Sequence, residues 1–238
     1  MQETRCIFVK KLFSAVIALT MLISAMNVNV FASNIEFSDT AGHWAENAIN
    51  KWADKGIISG YPDETFKLDN PVTRAELAKI LALAFDLPNN EFVFKTGDID
   101  ENAWYYEYLP RSAKYIPVYA LPDVIEENQP YLDNSKVNAF LQDNNAIRMH
   151  VAEALVEIKK EKEIIVSVNN TFKDTCYENL YAGHGTVPTN VQRMFEYTYL
   201  ANELGIMHGD DEGYFKPYGY VTRAELITMI DRIISTED

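Results

Sequence analysis

Apolar side chains recur at helical spacing through Trp44, Ala48, Ile49, Trp52 and Ala53, which predicts a helix with one inward face. Gly56 follows where a helix C-terminus needs a left-handed residue. A turn-rich stretch, Gly60-Tyr61-Pro62-Asp63-Glu64-Thr65-Phe66, then leads to a second predicted helix from about Arg74 to Phe85, with Leu77, Ile80, Leu81 and Ala84 inward. The unit is helix, loop, helix.

The same pattern returns near the C-terminus. Met194, Thr198, Ala201 and Leu204 mark a helix, Gly205 ends it, and Leu226, Ile227, Ile230 and Ile233 mark the next. Gly56 to Leu77 and Gly205 to Leu226 align without a gap at an offset of 149 and share 11 of 22 residues. Identity this close means that one unit has been copied. Phe37-Ser38-Asp39 opens the first copy and Phe172-Lys173-Asp174 the last. The last copy also carries an insertion, Thr175 to Pro188, whose Tyr-Ala-Gly-His-Gly reads as a surface loop.

A degenerate copy lies between them. Asp98 and Trp104 stand for Asp39 and Trp44, and Arg148 for Arg74, ahead of an apolar run through Val151, Ala154, Leu155 and Ile158. Its loop is longer and contains Pro110, Pro117, Pro122 and Pro130, and Lys159 to Glu163 reads as the exposed end of its helix. The predicted class is all-α, mainly helical with long loops, in three units: 33–92, 93–165 (degenerate) and 166–238, the last with the insertion 175–188.

Lys10 and Lys11 precede an apolar run from Leu12 to Met26, and Val30-Phe31-Ala32 offers a cleavage site, so residues 1–32 read as an export signal. The run is shorter than the roughly 20 residues needed to span a bilayer. Cleavage predicts a secreted chain with no membrane partner. It leaves 18 basic and 34 acidic residues, a net charge of −16 against −14 for the whole chain. Such a balance excludes nucleic acid, which is held by Lys and Arg. Of the two cysteines, Cys6 lies in the signal, so the remaining Cys176 has no internal disulfide partner.

Val-Thr-Arg-Ala-Glu-Leu heads the second helix of both intact copies. Thr73 with Glu76, and Thr222 with Glu225, have the spacing of a capping box. The arginines are harder to place, because a cation in the first turn opposes the helix dipole. Two readings are open for Arg74 and Arg223. They sit beside free N–H groups and grip a ligand carboxylate in two places, or they pair with an acid of the neighbouring copy. In the middle copy Ile147 and His150 occupy the threonine and glutamate positions, which leaves Asn144 or Asn145 to cap in a shifted register and the presentation of Arg148 open. Gly60 and Gly209 are read as supplying unusual backbone angles and close approach for a ligand. Tyr61 and Tyr214 are candidates for stacking on a sugar. Trp44 has the pattern of a core residue, with sugar stacking as the alternative.

Phe-x-Asp, a Trp-containing helix, Gly-Ile-x-x-Gly, a Phe-containing loop and Thr-Arg-Ala-Glu, in that order over about residues 35–235, resemble an S-layer homology domain in its three-copy arrangement. The resemblance implies a pseudo-trimeric, spindle-like bundle at the bacterial cell surface. It also implies non-covalent binding of a secondary cell wall polymer, often a pyruvylated glycan, in grooves between repeats. Under it Arg74, Arg223, Arg148, Gly60, Gly209, Tyr61, Tyr214 and Trp44 become polymer-binding candidates. One or two working pockets are expected, carried by repeats one and three. The alternative is a structural or protein-interaction module of the surface, with another surface protein as partner, that has lost polymer binding.

No catalytic constellation stands out. His43, His150, His184 and His208 are scattered, without His-Glu-x-x-His or clustered Cys/His spacing. Asp210-Asp211-Glu212 resembles half a calcium site but lacks the EF-hand spacing, so no cofactor is expected beyond weak calcium binding.

Overall fold

Each repeat is folded around an aspartate that closes its own loop. A computed structural model describes residues 36–90, 98–117, 119–120, 138–159, 172–175 and 189–235, with the backbone alone for 119–120, 138 and 189–194. The expected export signal, Cys176, and most of the insertion and of the middle loop lie outside the described residues. Asp39 accepts the N–H groups of Phe66 and Lys67, both at 2.7 Å. Asp98 does the same for Phe140 and Leu141 at 3.0 and 2.7 Å, and Asp174 for Phe215 and Lys216 at 2.8 and 2.7 Å. The second residue of each pair is left-handed, with φ of 59° at Lys67, 54° at Leu141 and 58° at Lys216. A non-glycine residue is uncommon there, and two charge-assisted bonds from one carboxylate hold the turn. Burial raises the pKa of the Asp39 carboxyl, but the Phe66 and Lys67 N–H groups outweigh it and hold the group below its ordinary value.

Six helices follow among the described residues: α1 (Glu46–Asp54), α2 (Arg74–Ala84), α3 (Leu109–Ser112), α4 (Arg148–Lys159), α5 (Thr189–Glu203) and α6 (Arg223–Ser235). Gly56 and Gly205, at φ 70° and 67°, end the first helices of repeats one and three. After each glycine the next N–H bonds five residues back, Ile57 to Trp52 and Ile206 to Ala201. The corresponding helix of the middle repeat is broken into a 3₁₀ turn (Tyr106–Tyr108), the single-turn α3 with Pro110 in it, and a second 3₁₀ turn (Ala113–Tyr115). The fold is mainly α. Among the described residues, extended pairing is confined to β1 (Tyr119–Ala120) with β2 (Asn138–Ala139) and three single bridges.

The second helix of each repeat packs on the first helix of the next: α2 on α3, α4 on α5, and α6 back on α1. Repeat three therefore closes on repeat one. The residues just before α2, α4 and α6 meet in a triangle of backbone bonds: Val72 N–H to Val221 O at 2.9 Å, Val221 N–H to Ala146 O at 3.0 Å, and Ala146 N–H to Val72 O at 2.8 Å. All three residues are fully buried, and the triangle marks a pseudo-three-fold axis. At the α1–α6 closure Trp52 is buried, and its Nε1 donates to Asp231, which also pairs with Lys51 at 2.7 Å. Trp44, expected in the core, is instead 63 % exposed. It lies before α1, not on its inner face.

Each intact loop rests on its own aromatic pair, Phe37 with Phe66 and Phe172 with Phe215, at centroid distances of 5.4 and 5.2 Å. Gly60 and Gly209 are required by this packing, which corrects the reading that assigned them unusual backbone angles. Neither has positive φ. A Cβ at Gly60 would stand 2.4 Å from the Phe37 ring and 2.7 Å from the Thr65 carbonyl; one at Gly209 would stand 2.5 Å from the Phe172 ring. Gly60→Ala is expected to lower unfolding free energy by about 1–3 kcal/mol, as overpacking does, measured by urea denaturation.

Candidate functional site

Arginine heads α2, α4 and α6, and each guanidinium reaches into the loop of another repeat. Arg223 donates through Nε to Phe66 O at 2.9 Å, through Nη2 to Ser59 O at 2.9 Å, and through Nη1 to Glu76 Oε1 at 3.0 Å. Arg148 repeats this with Phe215 O at 2.9 Å, His208 O at 2.9 Å and Glu225 Oε1 at 3.2 Å. Arg74 donates to Phe140 O at 2.6 Å and to Pro117 O, and its Nη1 lies 3.4 Å from His150 Nδ1. Each guanidinium also lies 4.4–5.2 Å from the centroid of the phenylalanine ring whose carbonyl it binds. Repeat one thus clasps repeat two, two clasps three, and three clasps one.

The helix N-termini are used in the same contact. The first two N–H groups of α2 go to Asn144 and Gln142 carbonyls, those of α4 to Gly219 and Pro217, and those of α6 to Asn70 and Leu68. The free N–H groups expected beside Arg74 and Arg223 are therefore occupied by the neighbouring repeat. Arg223 pairs with an acid of another repeat, Glu76, as one reading expected, whereas Arg74 meets carbonyls and the His150 imidazole of the next repeat. Arg74 is 0 % and Arg223 7 % exposed. Burial pushes the Arg148 guanidinium down from its ordinary pKa, with Glu225, Asp174 and Asp210 opposing.

One glutamate serves both ends of the clasp. Glu76 Oε2 accepts the Thr73 N–H at 2.9 Å, while Thr73 Oγ1 accepts the Glu76 N–H at 3.2 Å, a capping box. Its other oxygen holds Arg223. Thr222 and Glu225 repeat the box at 2.9 and 3.2 Å, and Glu225 holds Arg148. In the middle repeat α4 starts at Arg148, in the same register as α2 and α6. Asn144 and Asn145 meet the start of α2 instead of shifting the cap.

His150 fills the glutamate position. Burial and then the Arg74 charge push its imidazole down to about 3, so it stays neutral and can accept from Arg74. The folded state refuses a proton that the unfolded chain takes up below its ordinary value of 6.5. Stability is expected to fall as pH drops from about 6.5 toward 3, by as much as roughly 4–5 kcal/mol in full. His150→Gln, which keeps an acceptor and removes the titration, should flatten urea midpoints across that window.

Two equivalent grooves lie above the glutamate-bearing clasps, each of about 190 Å³. The first is lined by Ile57, Ile58, Ser59, Glu76, Lys79, Ile80, Arg223 and Trp104. In the second the corresponding places are taken by Met207, His208, Glu225, Thr228, Met229, Arg148 and Trp44, with Arg232 added. Every repeat contributes to each: one gives the helix, the preceding one its arginine, and the following one a tryptophan. Trp104 is 55 % exposed, so both indoles stand open at the rims. Lys79 Nζ is 6.0 Å from the Trp104 ring centroid, and Arg232 is exposed. Lys79 and Arg232 escaped sequence reading, and Trp104 was read only as the counterpart of Trp44. Their signal is spacing, since Lys79 falls one turn after Glu76, and the tryptophan shared by repeats one and two serves a groove of the repeat before it.

Gly209 and Tyr214 line a third, larger depression beside Arg148, whereas Gly60 lines none of these three. Tyr61 is packed, with Lys67 Nζ 3.7 Å and the Arg223 guanidinium 5.1 Å from its ring centroid. Asp210 is tied to Lys216 at 2.9 Å and to the N–H groups of Glu212 and Tyr214. Among the described residues no group of three or more His, Cys, Asp or Glu converges to hold a metal ion.

Comparison with known proteins matches residues 36–78 and 194–227 to the S-layer homology domain model. The chain is 30 % identical over 222 residues to the S-layer protein EA1 of Bacillus anthracis, covering 92 % of this chain and 22 % of that protein. It is 35 % identical over 102 residues to cell surface glycoprotein 1 of Acetivibrio thermocellus, 38 % of this chain and 4 % of that protein. It is 33 % identical over 81 residues to the cellulosome-anchoring protein of the same organism, 34 % and 18 %. The chain spans less than a quarter of the length of each of these relatives.

Proposed function

We propose that this chain, which resembles S-layer homology repeats over residues 36–78 and 194–227, attaches non-covalently to the bacterial cell wall by binding an anionic wall polymer in the two equivalent grooves. The observation that carries this is the pairing at each groove of an exposed indole with a cation outside the clasp: Trp104 with Lys79, and Trp44 with Arg232. An indole face suits the apolar C–H face of a pyranose, and a neighbouring cation suits a carboxylate substituent such as a pyruvyl ketal. Arg223 and Arg148 face the same grooves from below, already paired, so they set the floor and its charge.

In so acidic a chain these cations recognise the ligand locally and exert no general attraction. The mode of action is binding, without a catalytic step. The names of two relatives, an S-layer protein and a cellulosome-anchoring protein, agree with a holding role. Residues 33–238 are expected to co-sediment with sacculi of the bacterium that encodes the chain, and to stay in the supernatant once the secondary polymer has been removed by acid. Equal sedimentation before and after extraction would refute binding to that polymer.

A further inference from the structure

Beside the Arg148–Glu225 pair lies a depression of about 370 Å³, without Trp44 in its lining, about twice the volume of either groove and within the range of small-ligand sites. It shares Arg148, His208 and Glu225 with the Trp44 groove, so the two adjoin. We infer that this depression is a second sugar subsite, which takes an uncharged pyranose of the same glycan chain whose anionic residue occupies the Trp44 groove. The inference rests on the wall-binding reading.

Its origin is legible in the repeat. The loops 61–65 and 210–214 share one backbone course: Tyr61 N–H bonds to Thr65 O at 2.8 Å and Asp210 N–H to Tyr214 O at 2.9 Å, and Glu64 and Gly213 each donate back to the first residue at 3.0 Å. In repeat one the side chain at this place is Tyr61, which covers the arginine. In repeat three it is Asp210, whose short side chain turns to Lys216 and leaves the space beside Arg148 open. Tyr220, 57 % exposed, walls the depression where repeat one has Pro71, and the half-exposed Tyr214 adds a second ring.

The charges lining the depression are already paired, Lys216 with Asp210 at 2.9 Å and Arg148 with Glu225 at 3.2 Å. A lining with balanced charge, donors, acceptors and two phenol rings matches the hydroxyls and C–H face of a neutral sugar better than a second anion.

The probes are fragments of the acid-released wall polymer, a single unit consisting of the anionic sugar residue alone or a chain several residues long, titrated calorimetrically against residues 33–238. Asp210→Tyr restores the side chain of repeat one on a backbone that already accepts it, and Tyr220→Ala removes a wall without filling the space. Each variant is expected to bind the long fragment about tenfold more weakly than wild type, and the single unit within about twofold. Long-fragment affinity unchanged in both folded variants would overturn the subsite and leave wall binding standing. A wild-type protein that binds neither fragment would overturn both.

Discussion

Arg74→Ala is expected to lower unfolding free energy by about 3–5 kcal/mol, the range for removing one partner from a buried charged network. The guanidinium is fully buried and donates to the carbonyls of Phe140 and Pro117. Alanine leaves those acceptors in a dry junction, removes the charge lying 5.2 Å from the Phe140 centroid, and opens a cavity. Arg74→Lys should recover little, because one ammonium cannot span two carbonyls and an imidazole as a planar fork does. For a domain of this size the loss corresponds to a fall in melting temperature of about 10 °C. Exposed Arg232, which donates to the Ile206 carbonyl at 3.3 Å, should on truncation cost no more than about 1 kcal/mol. Because Arg74 and Arg223 hold repeats together, lost wall binding in an arginine-to-alanine variant reports on folding first.

Lys79→Glu combined with Arg232→Glu is expected to weaken wall binding about 100-fold and to leave the melting temperature within a few degrees of wild type. Charge-assisted contacts contribute about 1.5–3 kcal/mol each, and reversal replaces attraction with repulsion at both grooves. If one polymer strand engages both grooves, losing them together also removes the avidity gain. The positions suit the test because neither side chain takes part in the three clasps or in the backbone triangle at Val72, Ala146 and Val221.

Much of this fold was readable from local pattern. The helical periods, the glycines at 56 and 205 and the Thr-x-x-Glu spacing depend on residues close in sequence, and α1, α2, α4, α5 and α6 follow them. What escaped was cyclic. The partner of Arg223 is Glu76, 147 residues away, and that of Arg148 is Glu225, 77 away. One glutamate caps its own helix and binds the arginine of another repeat at once, so the capping box and the inter-repeat pair share a single carboxylate. Trp44 fell in phase with an inward face but precedes the helix, and its place is set by a groove built from the other two repeats. The middle repeat was hard to read for a chemical reason: His150 keeps the clasp as a neutral acceptor, so the motif vanished from the letters while the geometry stayed.

The most direct measurement is co-sedimentation with intact sacculi of the Lys79→Glu/Arg232→Glu protein beside wild type, both confirmed folded by their melting curves. If the grooves bind the polymer, wild type pellets and the charge-reversed protein remains in the supernatant at concentrations up to about 100 times the wild-type midpoint. A folded charge-reversed protein that pellets as well as wild type would contradict groove binding and move the contact to another surface of the repeats.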